Sequence, residues 1–330
     1  MFTKKTWMAG LALSILTGAL PPAALACSVC RCGDPTFGAL GTAVFEGGTF
    51  YLGLDWDRLE KDQAISADHH EAATAALVEG GFEAMPARHE GHTTSENLVE
   101  RRLILTAAWA FSERWQLIVR LPHSDRTLTE GEEQIDASGL GDPELLLRWR
   151  WWASSFEPGL GRANWLSLTV GAKTPWGNDD ASEGGVRLDQ HAQAGTGSTD
   201  VLVGLAGVHL LGPRSSLYGS LQLRLTGDND QHYEYGDARL LNLGYEHRLG
   251  ERLDLALEAN FRDADPDVVD ADGEEDANTG GRIAYLQPRL LLHLGKGVVA
   301  RLAAQVPVWE DLDGEQDEKT IWNLGLTVGF

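Results

Sequence analysis

The sequence predicts an all-β fold, an antiparallel transmembrane β-barrel of about twelve strands, an even number as in single-chain bacterial barrels. Three observations predict it. The last eleven residues, TIWNLGLTVGF, put Phe330, Val328, Leu326, Leu324 and Trp322 on one face and Gly329, Thr327, Gly325, Asn323 and Ile321 on the other. That period of two recurs along the chain, with connections that alternate between long and short. Tryptophans gather at the expected strand ends, as in the aromatic girdles of membrane barrels. In such a barrel the apolar face meets lipid and the small or polar face looks into the lumen.

The 330 residues are 43% hydrophobic, yet after the N-terminus no uncharged apolar run reaches the roughly 18 to 20 residues of a membrane helix. A helical membrane protein is therefore not expected. Lys4 and Lys5, the apolar stretch from Trp7 to Leu20, and Ala24-Leu25-Ala26 before Cys27 read as a secretory signal peptide over 1–26. A formal net charge of −22 excludes the basic footprint that nucleic-acid binding requires. The acidity collects between strands, in 263–276 and 310–318. Such loops suit divalent cations or a lipopolysaccharide layer bridged by them, and they also read simply as solvated surface.

Residues 27–46 form a Cys-rich periplasmic segment, CSVCRCGDP at its start, and the barrel is expected over 47–330. Cys27, Cys30 and Cys32 admit three readings. In an exported chain Cys27 and Cys30 can pair, since a one-residue loop to Cys32 is strained. Clustered thiolates also suit copper(I) or zinc, although zinc wants a fourth ligand. Ala-Leu-Ala-Cys is an imperfect lipobox, so Cys27 is also a candidate for lipidation. Arg31 stands where a c-type haem motif needs histidine.

The first strand alternates Phe50, Leu52, Leu54 and Trp56 with Tyr51, Gly53, Asp55 and Asp57, and is expected to end at about Arg58. After a polar stretch over 59–97, a second strand alternates Leu103, Leu105, Ala107 and Trp109 with Arg102, Ile104 and Thr106. A tight turn at 111–114 leads to a third, with Trp115, Leu117, Val119 and Leu121 on one face. Further strands are expected near 140–153, 165–176, 196–210, 217–227, 237–249, 253–262, 281–294 and 298–309, before the terminal one. The long connections are 59–97, 127–138, 177–195, 228–236, 263–280 and 310–319, placed outside the cell; the shorter ones are periplasmic, as are both termini. On this layout Trp109, Trp115, Trp152, Trp165 and Phe330 fall at periplasmic strand ends. Trp56, Trp176, Trp309 and Trp322 fall at external ones.

In SGLGDPELLLRWRWW (138–152), SLTVGAKTPWG (167–177) and GTGSTDVLVGLA (195–206) the chain resembles the transporter-like outer-membrane barrels of the MetA-pathway of phenol degradation type. Those barrels carry GLGD, a lysine-x-proline-x-glycine strand end, and GTGS followed by an acidic residue. The resemblance implies an outer-membrane channel or transporter, for hydrophobic or aromatic compounds. The cysteines and the histidine-bearing first loop lie outside it.

Strand phase points Asp55, Asp57, Glu100, Arg102, Arg120, Glu144, Arg148, Arg150, Lys173, Arg224, Glu246, Arg248, Asp254, Glu258, Arg262, Arg289 and Arg301 into the lumen. Basic residues outnumber acidic ones there, which favours anionic solutes by local field; the plainer reading is mutual pairing of buried charge. Arg120, Arg148 and Arg150 are expected to sit close together on neighbouring strands. The solute path is read along Arg102, Arg120, Glu144, Arg148, Arg150, Lys173, Arg224, Glu258, Arg289 and Arg301.

The first long loop carries His69, His70, His89 and His92, a weak chelating pattern for zinc, copper or nickel. The acidic spacing in 263–276 approaches a calcium loop without meeting its register. Two other classes compete with a channel: a structural, adhesive or metal-binding barrel that meets a periplasmic partner through CxxCxC, and a lipid hydrolase. For the hydrolase, His123-Ser124-Asp125 is the local candidate, but neighbours on a strand point to opposite faces and there is no GxSxG elbow. Expected partners are outer-membrane lipid and lipopolysaccharide, a small-molecule solute, and the barrel-assembly machinery through the strand ending at Phe330.

Overall fold

The computed structural model describes residues 47–65, 94–130, 133–154, 164–269, 273–276, 279–295, 297–313 and 316–330. In chain order the strands are β1 (Phe50–Ile65), β2 (Thr94–Trp109), β3 (Trp115–Glu130), β4 (Glu133–Leu140), β5 (Glu144–Ala153) and β6 (Trp165–Lys173). A small ribbon follows, β7 (Ser182–Glu183) with β8 (Val186–Arg187), and then one 3-10 turn, Gln190–Ala192. The second half holds β9 (Asp200–Leu210), β10 (Ser215–Leu225), β11 (Ala238–Arg248), β12 (Leu253–Ala264), β13 (Gly281–Gly295), β14 (Val298–Leu312), β15 (Gln316–Glu318) and β16 (Ile321–Gly329).

Twelve of these strands are the staves of a closed antiparallel barrel, because β1 pairs with β2 on one side and with β16 on the other. At the seam, Phe50 and Phe330 exchange backbone hydrogen bonds, Phe330 N–H to Phe50 O at 2.8 Å and Phe50 N–H to Phe330 O at 3.3 Å. Their rings lie 6.2 Å apart. Closure removes every free edge, the condition for strands to cross a hydrocarbon layer. β4 continues the β5 stave outward along β3, and β15 continues the β16 stave along β1.

Alternation decides which face is which. Along β5 the buried residues are Glu144, Leu146, Arg148 and Arg150, while Leu145, Leu147, Trp149 and Trp151 are exposed on the outer wall. The polar set is inside and the apolar set outside, the reverse of a soluble barrel. Among the described residues no helix is long and apolar enough to cross a membrane.

Four expectations are corrected. The first strand continues past Arg58 to Ile65, paired with β2 as far as Ile65↔Thr94. The expected loop over 127–138 is a hairpin, with Thr127↔Asp136 and Leu128↔Ile135 in register. Part of 310–319 is likewise strand, in β14 and β15. The reason is common to the first three: beyond the membrane the outward face turns polar while the inward face mixes charges with buried apolar residues such as Leu59, Leu98 and Leu128, so the apolar-out alternation is lost while the backbone ladder continues. The fourth concerns the girdle. Trp165 sits at the periplasmic end of β6 but points inward, 1% exposed, against Val208 and Tyr218. Trp115 and Trp149 stack outside at 5.9 Å, and a bulge between Arg150 and Trp152 leaves Trp151 and Trp152 both on the exterior.

Candidate functional site in the barrel lumen

The break between β4 and β5 is Gly141-Asp142-Pro143, where proline cannot continue the ladder. It leaves the Asp142 side chain buried at the external mouth of the lumen. Asp142 Oδ1 accepts the Gly177 N–H at 2.9 Å, while Oδ2 accepts the Thr196 N–H at 2.7 Å and the Thr196 hydroxyl at 2.6 Å. Lys173, at the end of β6, donates to Thr196 Oγ1, to Ser198 Oγ at 3.0 Å and to Asp200 Oδ2 at 3.0 Å, with Asp142 Oδ2 at 3.4 Å. The motifs GLGD, KTPWG and GTGSTD therefore meet in one clasp. It ties both ends of the 174–199 connection to the strand break.

Below the clasp, Arg120 and Arg224 each donate to Glu144 at 2.7 Å, and Arg224 also reaches Asp200 at 3.7 Å. Arg126 lies 3.5 Å from Glu100 and donates to the His191 carbonyl at 2.8 Å. Arg102 pairs with Asp57 at 3.3 Å. Between clasp and arginines lies a cavity of about 60 Å3, lined by Arg102, Arg120, Arg126, Lys173, Arg224, Glu100, Asp142, Glu144, Ser124, Ile104, Pro122, Gly141, Ala194 and Thr196.

The three external connections that follow β6, β10 and β12 interlock above it. Tyr233 donates to Asp267 at 2.5 Å and lies 3.0 Å from His191 Nε2. Tyr235 donates to the Gln190 carbonyl at 3.1 Å, Asn229 to the Thr196 carbonyl at 3.0 Å, and Gly236 N–H to Asp267 at 2.8 Å. Burial holds the Tyr235 phenol well above its usual range, so it stays a donor.

The structure places the other sequence-derived residues as follows. Glu258 takes Arg289 and the Tyr218 hydroxyl; Arg301 takes Asp55 and donates to Asn323 at 2.9 Å. Arg262 donates to Glu318 at 2.6 Å, and Asp254 holds Arg248 at 3.2 Å and His293 at 2.9 Å. Arg120, Arg148 and Arg150 do not form one basic group. Arg120 is taken by Glu144, Arg148 donates to Thr169 at 3.3 Å, and Arg150 caps the Glu113 carbonyl at the periplasmic turn. They stand at successive heights along the strands, and each is held by a different partner.

Strand alternation does not single out Asp142, Asp200, Arg126 and Glu318. Asp142 sits in a strand break, Asp200 at a strand start, and Arg126 and Glu318 at the blurred external margins; the GLGD and GTGS motifs were the available signal for the first two. Cys27, Cys30, Cys32, His69, His70, His89 and His92 lie outside the described residues, so the metal readings are untouched by the structure. Among the described residues no three His, Cys, Asp or Glu side chains are grouped to hold a metal ion. Asp263, Asp265 and Asp267 each serve a protein partner: Arg282, Arg239 and Tyr233.

In the His123-Ser124-Asp125 run, Ser124 turns inward and donates to Glu100 at 3.0 Å. Outside, Ser138 on β4 donates to Asp125 at 2.5 Å, and the same His123 nitrogen lies 3.5 Å from Ser138 and 3.6 Å from Asp125. That is no relay, since the base does not stand between hydroxyl and carboxylate.

Residues 116–301 match the family described as "Putative MetA-pathway of phenol degradation". The chain belongs to that family. The match runs from β3 to β14 and so contains the clasp, the Arg120–Glu144–Arg224 group and the three interlocked connections, while the cysteines and the first-loop histidines fall outside it. No curated protein matches the sequence. Among solved structures, an outer membrane channel from Pseudomonas putida F1 is similar at 14% identity and a TM-score of 0.63, over 90% of this chain and 100% of that one. The translocator domain of the autotransporter NalP from Neisseria meningitidis reaches 9% identity and 0.46, over 86% and 89%. The toluene transporter TbuX from Ralstonia pickettii reaches 11% and 0.40, over 86% and 90%. The first shares the barrel fold across its whole length. A closed barrel of this kind, with apolar residues outside and long connections at one end, places the chain in the bacterial outer membrane with Phe50 and Phe330 at its periplasmic end.

Proposed function

We propose that the chain is an outer-membrane channel for small solutes, hydrophobic, aromatic or anionic, whose path enters under the clasp and runs through the polar lumen. One observation carries the reading. The cavity below the external mouth is lined by five cationic side chains and three carboxylates, an excess of buried positive charge that supports a route for solute. The path passes Arg102, Arg120, Glu144, Lys173 and Arg224, then Arg148 and Arg150 on one wall and Glu258, Arg289 and Arg301 on the other. The interlocking of the external connections favours a second reading, a structural or adhesive barrel that presents its loops to a partner.

Planar-bilayer recording of the refolded barrel separates the two. The channel reading expects discrete conductance, with chloride favoured in reversal potentials under a salt gradient and selectivity moved toward potassium by Arg120→Gln with Arg224→Gln. A silent barrel that stays silent when the 174–199 connection is shortened supports the structural reading.

A further inference from the structure

Within the lumen, charge and apolar surface are stacked in two levels. On β3, β5 and β9 the charged residues Arg120, Glu144 and Asp200 each have an apolar inward neighbour two positions toward the periplasm: Ile118, Leu146 and Leu202. Two residues of strand separate the levels by about 7 Å. Ile118, Leu146 and Leu202 pack with Ala108 and against Tyr51, so the lower level is a packed apolar layer on β1, β2, β3, β5 and β9, its three large side chains 1–2% exposed. The stave between β5 and β9 contributes Gly171 at this height, paired with Leu146 on one side and Leu202 on the other. A side chain there would collide with Leu146 Cδ2 and the Leu145 carbonyl, so the glycine lets Leu146 lie across β6.

The upper level points to an anion. Its lining holds more cationic than acidic side chains, although Asp57 and Asp200 pair with Arg102 and Arg224 from the side. The Nε–H of Arg224 is buried without a hydrogen-bond acceptor, and that of Arg126 has only the long 3.5 Å approach of Glu100, in residues more than nine-tenths covered. A bare inorganic anion would satisfy these donors and gain nothing from the level below. A hydrocarbon would match the lower level and leave the guanidinium groups desolvated, which costs more than its burial returns. A molecule with both parts is matched at both heights.

We propose, building on the channel reading, that the preferred solute is an organic monoanion: an apolar body, ring or short chain, carrying one carboxylate-like group. The anionic group sits among Arg102, Arg126 and Arg224, and the body enters the apolar layer by parting Ile118, Leu146 and Leu202. The cavity of about 60 Å3 holds water only, since an aromatic ring takes about 150 Å3. Entry therefore accompanies displacement of the segment bearing Ala194 and Thr196.

The test is osmotic swelling of proteoliposomes containing the full barrel, with three soluble salts that do not cross lipid unaided: benzenesulfonate, methanesulfonate and phenyltrimethylammonium. Benzenesulfonate is expected to enter fastest although it is larger than methanesulfonate. Leu202→Ser should slow benzenesulfonate about tenfold, the loss expected for removing apolar contact with the ring, and leave methanesulfonate unchanged; Leu202→Met should restore the preference. Arg126→Gln should slow both sulfonates and keep their ratio. Rates that follow size alone, or a cation that outruns benzenesulfonate, overturn this inference and leave the channel intact. A barrel that passes none of the three overturns both. If Leu202→Ser fails to assemble, as heat-modifiable migration will show, the wild-type order and Leu202→Met decide.

Discussion

Asp142 Oδ2 accepts both the backbone N–H and the hydroxyl of Thr196, at 2.7 and 2.6 Å, across 54 positions of chain. With Oδ1 on the Gly177 N–H, one carboxylate holds the two ends of the 174–199 connection at the lumen mouth.

Removing that carboxylate leaves buried donors without acceptors, at about 1–3 kcal/mol for each unsatisfied group. Asp142→Ala is therefore expected to lower the unfolding midpoint in detergent and to open the connection to protease over 178–194. Asp142→Asn keeps one acceptor oxygen and should fall between. Limited proteolysis on intact cells checks both; an unchanged cleavage pattern in the alanine variant would show that the clasp does not hold the connection.

At the closing seam, Phe330 packs its ring on Phe50 at the outer wall, while Gly329 faces inward beside Tyr51. Phe330→Ala should slow assembly, because the last stave loses its interfacial aromatic contact. Gly329→Ala asks Tyr51 to shift by a few tenths of an ångström, its ring carbons lying 3.1 and 3.2 Å from the added Cβ, and should be mild. The yield of heat-modifiable barrel measures both, and equal losses would contradict the strand phase.

Asp313, in the external segment after β14, has its carboxyl pushed up to about 6, chiefly by burial and then by the charge of Asp311, with Arg282 opposing. The folded state thus binds more protons than the unfolded one between the ordinary value of 3.8 and about 6. Stability from this group is present at low pH and is lost as pH rises through that window. Hydrogen exchange at Asp311 and Asp313 should be slower at pH 4.5 than at pH 7 after correction for intrinsic rates, and the difference at Asp311 should vanish in Asp313→Asn. If Asp313→Asn keeps the difference, another group sets it.

The all-β barrel, its closing strand and the face each stave turns inward were legible in the chain, because alternation is a property of adjacent residues. Phe330, Trp322 and Leu324 share a face whatever lies beside them, and so do Arg120 and Ile118. Strand ends were less legible. Past the membrane the outward residues of β1 and β2 turn polar, so the pattern thins although the pairing of Ile65 with Thr94 continues. GLGD, KTPWG and GTGSTD could be recognised as strand-end motifs, but not as parts that touch.

What tertiary structure alone decided is pairing between staves far apart in sequence. Arg301 meets Asp55 from 246 positions away, Arg262 meets Glu318 from 56, and Asp142 binds both Gly177 and Thr196. Strand phase puts a side chain inside, but closure of the barrel sets which others it faces. That closure also divided Arg120, Arg148 and Arg150 among separate partners. A buried guanidinium is fixed by the nearest acceptor it can reach, and reach is a property of the curved wall rather than of spacing along the chain.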